Sequence, residues 1–207
     1  MAKSKDDSIR GRVGKVIHSS WRGRPYVRAC PETVSNPKTE AQQAHRNAFV
    51  ALSRLASYMK EGHKVGLQYQ SSRMNLNTFC VFKKLNSELV KADRIDYVHL
   101  FLSKGPVNDA RVTGVRMEGQ NLQDTFRKYP YMTEAEGADN LYLYAYCVNL
   151  CEGHLFGPAF RFNSAIDITI PEEWNGLQLH LYAFFIDSKG RSSDTVYVPF
   201  DELNVRG

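Results

Sequence analysis

The residues best suited to chemistry lie near the N-terminus, where basic side chains alternate with two aromatic ones. Guanidinium and ammonium groups neutralise phosphates, and aromatic rings stack on nucleobases. The candidate nucleic-acid-binding residues are Arg12, Lys15, Trp21, Arg22, Arg24, Tyr26 and Arg28. A solvated edge strand that uses charge to resist aggregation has the same composition, and this is the alternative interpretation.

A second group of potential ligands is formed by Cys147, Cys151 and His154, which lie within eight residues. Thiolates and imidazoles bind zinc, but a structural zinc site needs a fourth ligand, and no second Cys/His pair follows. The alternative is that Cys147 packs inward at the end of a strand and that the chain turns at Gly153. We therefore expect no metal and no cofactor.

No catalytic grouping is evident in the sequence. The six histidines are scattered, and none lies beside a serine or cysteine in a nucleophile motif. Residues 11–15 contain two glycines and a lysine but lack the spacing of a phosphate-binding loop. We expect no catalytic residues and no enzymatic activity.

Composition narrows the class of protein further. A 43% hydrophobic content in 207 residues excludes disorder as the main state. The net charge of +5 is local, because eight lysines and arginines oppose two aspartates before residue 30. We see no secretory signal and no apolar run of the roughly 18 residues that span a bilayer, and four cysteines suit a reducing compartment. We therefore expect a cytoplasmic protein without a membrane partner.

The most regular pattern predicts one long amphipathic helix over residues 39–59. Thr39 and Gln42 form a capping box at its start, and Gly62 supplies a stop. Its apolar stripe consists of Ala41, Ala44, Ala48, Leu52, Leu55 and Met59. Before the helix, residues 11–27 predict a hairpin around Gly23, with Pro25 at an edge or at a strand start.

After the helix, the periodicity predicts a polar connector (residues 62–72), a shorter helix (75–85) with Asn77 or Asn75 as its cap, and then strands. The predicted strands are residues 95–102, 111–117, 141–148, 160–170, 177–186 and 195–200, with a surface excursion at 120–139. The predicted class is α+β, in which an N-terminal β-hairpin and long helix precede an antiparallel immunoglobulin- or fibronectin-like β-sandwich. The predicted domains are residues 1–94, the basic hairpin plus helical region, and residues 95–207, the sandwich.

Two predicted strands carry aromatic residues on alternate positions, Tyr142, Tyr144 and Tyr146 on one and Tyr182 and Phe184 on the other. These rows are either an exposed aromatic interface or a core wall covered by a helix. The long amphipathic helix needs a partner for its apolar stripe, which favours the second interpretation.

The chain resembles a family of uncharacterised bacterial proteins that share a domain of unknown function. The motifs that carry the resemblance are Gly14-Lys15-Val16, Trp21-Arg22-Gly23, Tyr26-Val27-Arg28, Asn36-Pro37-Lys38-Thr39, Gln42 to Arg46, Ile168-Thr169-Ile170-Pro171 and Leu181 to Asp187. The resemblance implies an N-terminal Gly-hairpin, a helix and a β-rich C-terminal half. It implies no activity.

These observations leave the biochemical function unknown and favour a non-enzymatic binding or assembly module. Its partner would be a protein or a second copy of the chain. One alternative is a nucleic-acid-binding protein that uses the basic hairpin. Another is a component of a phage-like or secreted particle, because Asn-Pro-x-Thr openings such as residues 36–39 occur in such proteins.

Overall fold

The computed structural model describes residues 3–5, 8–33, 38–109, 112–118, 121–126, 138–163 and 165–199. The chain divides into two compact units, Met1–Gln42 and Gln43–Gly207. In the described residues the fold is α+β, with four α-helices and three antiparallel sheets. None of the helices in these ranges is long and apolar enough to cross a membrane.

The first unit contains a four-stranded antiparallel sheet in which each strand pairs with the next along the chain. Its strands are β1 (Lys3–Lys5), β2 (Ser8–Val13), β3 (Val16–Trp21) and β4 (Arg24–Ala29). The predicted hairpin is therefore present as β3 and β4 of a larger sheet. Pro25 lies on the edge strand β4, where its missing N–H costs no ladder bond.

Four helices follow, and the first and the last of them begin at capping residues. They are α1 (Glu40–Tyr58), α2 (Lys60–Gly66), α3 (Gln68–Met74) and α4 (Thr78–Asn86). The Oγ1 atom of Thr39 accepts a hydrogen bond from the Gln42 N–H at 3.4 Å. The Oδ1 atom of Asn77 accepts one from the Cys80 N–H at 2.8 Å, which confirms the second predicted helix and its cap.

The predicted connector at residues 62–72 and the predicted stop at Gly62 are wrong, because α2 and α3 occupy this segment. The helical path bends at Met59 and Leu67, and N–H(i) to O(i−4) bonds continue across both residues. Gly62 lies inside α2, where an added Cβ would be 3.0 Å from the Tyr144 ring. The glycine thus permits close packing and does not end the helix.

The second unit contains two antiparallel sheets. One has the strand order β11-β10-β7-β8 and the other β5-β6-β9. Their bounds are β5 (Val112–Glu118), β6 (Asn121–Phe126), β7 (Asn140–Cys147), β8 (Glu152–Phe160), β9 (Ala165–Thr169), β10 (Leu179–Ile186) and β11 (Val196–Val198). One core cluster joins residues of both sheets, including Leu122, Leu143, Ile168 and Phe185. The facing sides of the two sheets therefore bury each other.

A second core cluster covers the other side of β7 and β10. Leu55, Met59 and Phe82 of the helices share it with Tyr144 and Tyr182, both fully buried. The interpretation that a helix covers the aromatic rows is therefore confirmed for these tyrosines. Both faces of β7 and β10 are buried, which explains why these two strands are apolar almost throughout. The predicted domain division at residues 94 and 95 stays a prediction.

The predicted strand at residues 95–102 is wrong. Only Ile95 makes a bridge, to Val90, and the following residues join no strand. Backbone N–H groups here are bound by side chains instead: the Asn86 Oδ1 accepts from Phe101 at 2.8 Å, and the Thr195 Oγ1 accepts from Leu102 at 2.9 Å. The alternating apolar residues reflect burial in the helical core and not sheet pairing.

Two other segments also differ from prediction. Residues 121–126, expected in a surface excursion, form the central strand β6, in which Leu122 is fully buried. The sequence of this strand, Asn-Leu-Gln-Asp-Thr-Phe, is too polar for a two-residue period to be recognised. Residues 127–137 lie outside the described residues. The single strand predicted at 160–170 is instead the end of β8, a short 3₁₀ turn at Arg161–Asn163, and β9.

Candidate binding surface

Two tight turns shape the N-terminal sheet. Gly14, between β2 and β3, has a φ of 58°, the sign that the first central residue of a type II′ turn requires. Between β3 and β4 both Arg22 (50°) and Gly23 (77°) have positive φ, the combination found in type I′ turns. Because these turns fix the strand register, they also fix which side chains share a face.

The register places most of the basic and aromatic candidates on one face. Arg12 is opposite Ile17, Ile17 is opposite Arg28, and Trp21 is opposite Arg24. Directly opposed residues share a face, and so do residues two apart along a strand. We call this the cationic face, and it consists of Arg10, Arg12, Ile17, Ser19, Trp21, Arg24, Tyr26 and Arg28. Trp21 is 65% exposed.

The two remaining candidates lie in the turns. The guanidinium of Arg22 is 4.7 Å from the centroid of the Trp21 ring, a cation–π contact that extends the cationic face at one end. Lys15 lies in the other turn, where its Nζ atom is 2.7 Å from Oε1 of Glu32. The structure thus brings six of the seven candidates together, and their binding of nucleic acid stays a prediction.

The opposite face of the same sheet is apolar, which the sequence analysis missed. Val13 is opposite Val16, His18 is opposite Val27, and Val16 is opposite Ala29. We call these five residues the apolar face; Gly11, Ser20 and Pro25 lie on the same side of the sheet. Val13, Val16 and Val27 are 46%, 36% and 57% exposed. The two-residue period of these apolar residues is present in the sequence, but arginines occupy the positions between the valines and make the strands look charged throughout.

A cleft of about 540 Å³ lies in the second unit, between α1 and the segment after α4. Its lining includes Ala48, Phe49 and Leu52 of α1, with Glu88 and Lys91 at its rim. The Nζ atom of Lys83 lies 4.4 Å from the centroid of the Phe49 ring, although Phe49 remains exposed. The apolar residues of α1 make this cleft suited to apolar side chains.

The structure separates the three residues considered as zinc ligands. Cys147 is buried in the core between the two sheets, while Cys151 is exposed in the turn after β7. His154 stacks on Trp174 with ring centroids 5.2 Å apart. In the described part of the chain no three His, Cys, Asp or Glu side chains are grouped to hold a metal ion. The expected turn at Gly153 is wrong, because Gly153 lies within β8.

Two histidines are buried and have altered acidity. Burial lowers the pKa of His63, whose Nε2 atom is 2.8 Å from the Ala56 carbonyl oxygen. Burial also lowers the pKa of His180, whose Nδ1 atom is 2.9 Å from the Tyr197 hydroxyl and whose ring stacks on Tyr97. Both rings are packed among aromatic side chains, so their contacts are those of core residues.

Fold and surfaces together define an α+β protein with a two-faced N-terminal sheet and a separately cored helical and β-sheet unit. The chain belongs to DUF6266, a family of unknown function, which matches residues 8–198. This confirms the resemblance to a domain-of-unknown-function family. Neither the curated proteins nor the solved structures contain a match to the chain. No relative therefore indicates a specific function.

Proposed function

We propose that the protein is a non-enzymatic binding or assembly module and that its N-terminal sheet is the surface that meets the partner. The observation that carries the proposal is the exposure of both faces of one sheet. Trp21 on the cationic face is 65% exposed, and Val27 on the apolar face is 57% exposed. Sheets in folded proteins ordinarily cover at least one face.

The N-terminal sheet has no face that is packed into a core cluster of the described residues. A few paired strands are stable in water when a hydrophobic face is packed against something else. Neither core cluster found among the described residues includes a residue of β1–β4. Contiguous exposed apolar surface of this kind marks interaction sites. A partner that covers the apolar face supplies the missing burial.

For the second unit we propose an immunoglobulin- or fibronectin-like sandwich, which by analogy serves recognition. The strand order supports this: the first, second and fifth strands (β5, β6, β9) form one sheet, and β7, β8, β10 and β11 form the other. Constant-type immunoglobulin domains divide their strands in the same way except that the fourth joins the first sheet. The four cysteines form no disulfide, which supports a reducing compartment such as the cytoplasm.

A second candidate function, binding of nucleic acid, is favoured by the sorting of side chains on the sheet. Arg12, Arg24 and Arg28 share a face with Trp21 and Tyr26. No aspartate or glutamate occurs between residues 8 and 31, so little in this stretch offsets the positive charge. Arginines beside exposed aromatic rings are the arrangement that holds single strands.

The nucleic-acid candidate is tested by fluorescence anisotropy with labelled single- and double-stranded oligonucleotides at two salt concentrations. If Arg22, Arg24 and Arg28 each neutralise a phosphate, their replacement by alanine reduces the log–log salt slope for single strands by about 2. The matched control replaces Lys60, Lys64 and Lys84, which are exposed on α2 and α4. Absence of binding at low salt, or equal loss in both triple variants, excludes this candidate.

The leading proposal is tested by placing a photo-crosslinking amino acid at Val27 of the full chain in its producing cells. Val98, which is 48% exposed in the second unit, is the matched control position. We expect a discrete crosslinked product from position 27 that is absent from position 98 and is weakened by Val13→Ser and Val16→Ser. The same amino acid placed at Trp21 or Tyr26 probes the cationic face. Equal products from positions 27 and 98, or no product from any of positions 27, 21 and 26, would refute the proposal.

A further inference from the structure

The cationic face of the N-terminal sheet combines positive charge with two exposed aromatic rings. We propose that this face binds single-stranded nucleic acid, with unpaired bases stacked on Trp21 and Tyr26 and with phosphates bound by the neighbouring arginines. This inference rests on the proposed function, in its nucleic-acid form, and goes further because it names the strandedness of the ligand and the two side chains that hold its bases.

Charge complementarity indicates a polyanion as the ligand of this face. Residues 1–42 contain nine lysines and arginines and four aspartates and glutamates, whereas residues 43–207 contain 18 of each kind. Every arginine of β2, β3 and β4 lies on the cationic face, and these are Arg10, Arg12, Arg24 and Arg28. The sheet thus sorts its arginines to one side, where a chain of phosphates would supply the opposite charge in repeated form.

Trp21 and Tyr26 provide two platforms for bases. Trp21 is opposite Arg24, and Tyr26 lies two residues beyond Arg24 on β4. The two aromatic residues are therefore diagonal neighbours, about 7–8 Å apart. Trp21 is 65% exposed and Tyr26 is 45% exposed. Along β4 Tyr26 lies between Arg24 and Arg28, so each ring has an arginine as its neighbour.

Arg22 covers one side of the Trp21 ring. Its guanidinium carbon lies 4.7 Å from the ring centroid, where the negative face of the indole attracts a cation. Because the indole remains largely exposed, a base can cover its other side. The turn between β3 and β4 therefore presents an indole with a cation on one side and room for one base on the other.

This arrangement suits unpaired bases and not a duplex. Within a duplex each base is stacked between its neighbours, and the rise along one strand is about 3.4 Å per step, about half the distance between Trp21 and Tyr26. Bases can cover both rings together only when they are no longer stacked on each other. Bases of a single strand can be splayed apart in this way and stacked on aromatic side chains. A duplex would have to bind through its phosphates.

The test measures binding of three ligands to the full chain by fluorescence anisotropy at one salt concentration. The ligands are a short labelled oligothymidine, the same strand in a duplex with oligodeoxyadenosine, and an abasic strand of the same length that keeps the phosphates. We expect the single strand to bind more tightly than the duplex and about 5- to 100-fold more tightly than the abasic strand. Only the intact single strand should quench the emission of Trp21, since Trp174 is 1% exposed.

The double variant Trp21→Leu/Tyr26→Leu removes both rings and no charge. Its affinity for the single strand should fall to that of the abasic strand, while the log–log salt slope stays at the wild-type value because the phosphate contacts remain. Tyr58→Leu, at an exposed position of α1, is the matched control and should bind as the wild type does. The abasic strand is measured with wild-type protein, so this comparison does not depend on how the variants fold.

Equal binding of the intact and abasic strands, or a duplex bound as tightly as the single strand, would overturn the inference and leave the nucleic-acid candidate standing. Vesicles of phosphatidylserine and phosphatidylcholine test the other extended anionic surface that attracts basic residues. Binding to these vesicles but not to oligonucleotides would overturn both. If neither ligand bound, both would also fail, and a discrete crosslinked product from Val27 would still support the binding module.

Discussion

The acid sensitivity of the helical core should depend on His63. Its imidazole is 1% exposed, and its Nε2 atom lies 2.8 Å from the carbonyl oxygen of Ala56, so Nε2 carries the proton and donates. The Nδ1 atom is buried and has no hydrogen-bond partner among the described residues. Charging the ring would place a positive charge in a buried site beside Phe82, whose ring centroid is 5.2 Å away.

Burial is the largest cause that lowers the pKa of His63 below its ordinary value of 6.5, and nearby Lys60 lowers it further. Hydrogen bonding to the backbone of Ala56 and of His63 itself opposes them. Below pH 6.5 the unfolded chain therefore binds this proton first. The free energy of unfolding is expected to fall as the pH drops from 6.5 towards the lowered pKa. One proton contributes at most about 1.4 kcal/mol per pH unit in this window.

The assay is urea unfolding at several pH values between neutrality and pH 5. His63→Phe retains an aromatic ring and His63→Leu does not, so the two variants should differ in stability at neutral pH. Both remove the titrating group, and both should therefore show a shallower loss of stability below pH 6.5 than the wild type. Because burial also lowers the pKa of His180, some acid sensitivity should remain. A wild-type slope in both variants would refute the role assigned to His63.

The remaining predictions concern packing and hydrogen bonding in the same core. Gly66→Ala should destabilise the protein by about 1–3 kcal/mol more than Gly62→Ala in urea unfolding. An added Cβ at Gly66 collides with the backbone oxygen of Leu102, whereas at Gly62 its nearest atoms belong to the side chains of Tyr144 and Leu102 and are at least 3.0 Å away. The helix-propensity gain is common to both. Asn86→Ala should cost about 2–4 kcal/mol, because the fully buried amide of Asn86 binds both the N–H and the C=O of Phe101. The control is the exposed Asn149, whose Oδ1 atom accepts a hydrogen bond from the Gln178 N–H. Asn149→Ala should cost less than about 1 kcal/mol, because water can replace this hydrogen bond. Equal costs for Asn86→Ala and Asn149→Ala would contradict this reasoning.

Helix starts and turns that are set by neighbouring residues could be predicted from the sequence. The caps at Thr39 and Asn77 and the turn glycine Gly23 act through backbone groups within three residues, so their positions follow from the sequence alone. The aromatic rows could also be assigned to a core, since the long helix needed an apolar surface to cover. The β-rich half and its antiparallel pairing followed from the two-residue period.

The errors arose where a residue's role depends on distant contacts. In the sequence Gly62 indicates a helix stop, but in the structure it permits α2 to approach Tyr144, which is 82 residues later in the chain. The alternation at residues 95–102 reads as a strand, but Asn86 and Thr195 bind its backbone. The apolar face of the N-terminal sheet was overlooked because its valines occupy the positions between the arginines. Which face a partner covers depends on three-dimensional surroundings that a periodic pattern does not contain.

The two units bury their β-strands to different extents, and this difference supports the N-terminal sheet as the proposed binding surface. In the second unit β7 and β10 are buried on both sides, by a second sheet on one and by residues such as Leu55 of α1 and Phe82 of α4 on the other. The N-terminal sheet has a comparable alternation of apolar and other side chains, yet Val13 and Val27 remain exposed. A partner that covers the apolar face, as proposed, would leave the arginines of the cationic face available to a further ligand.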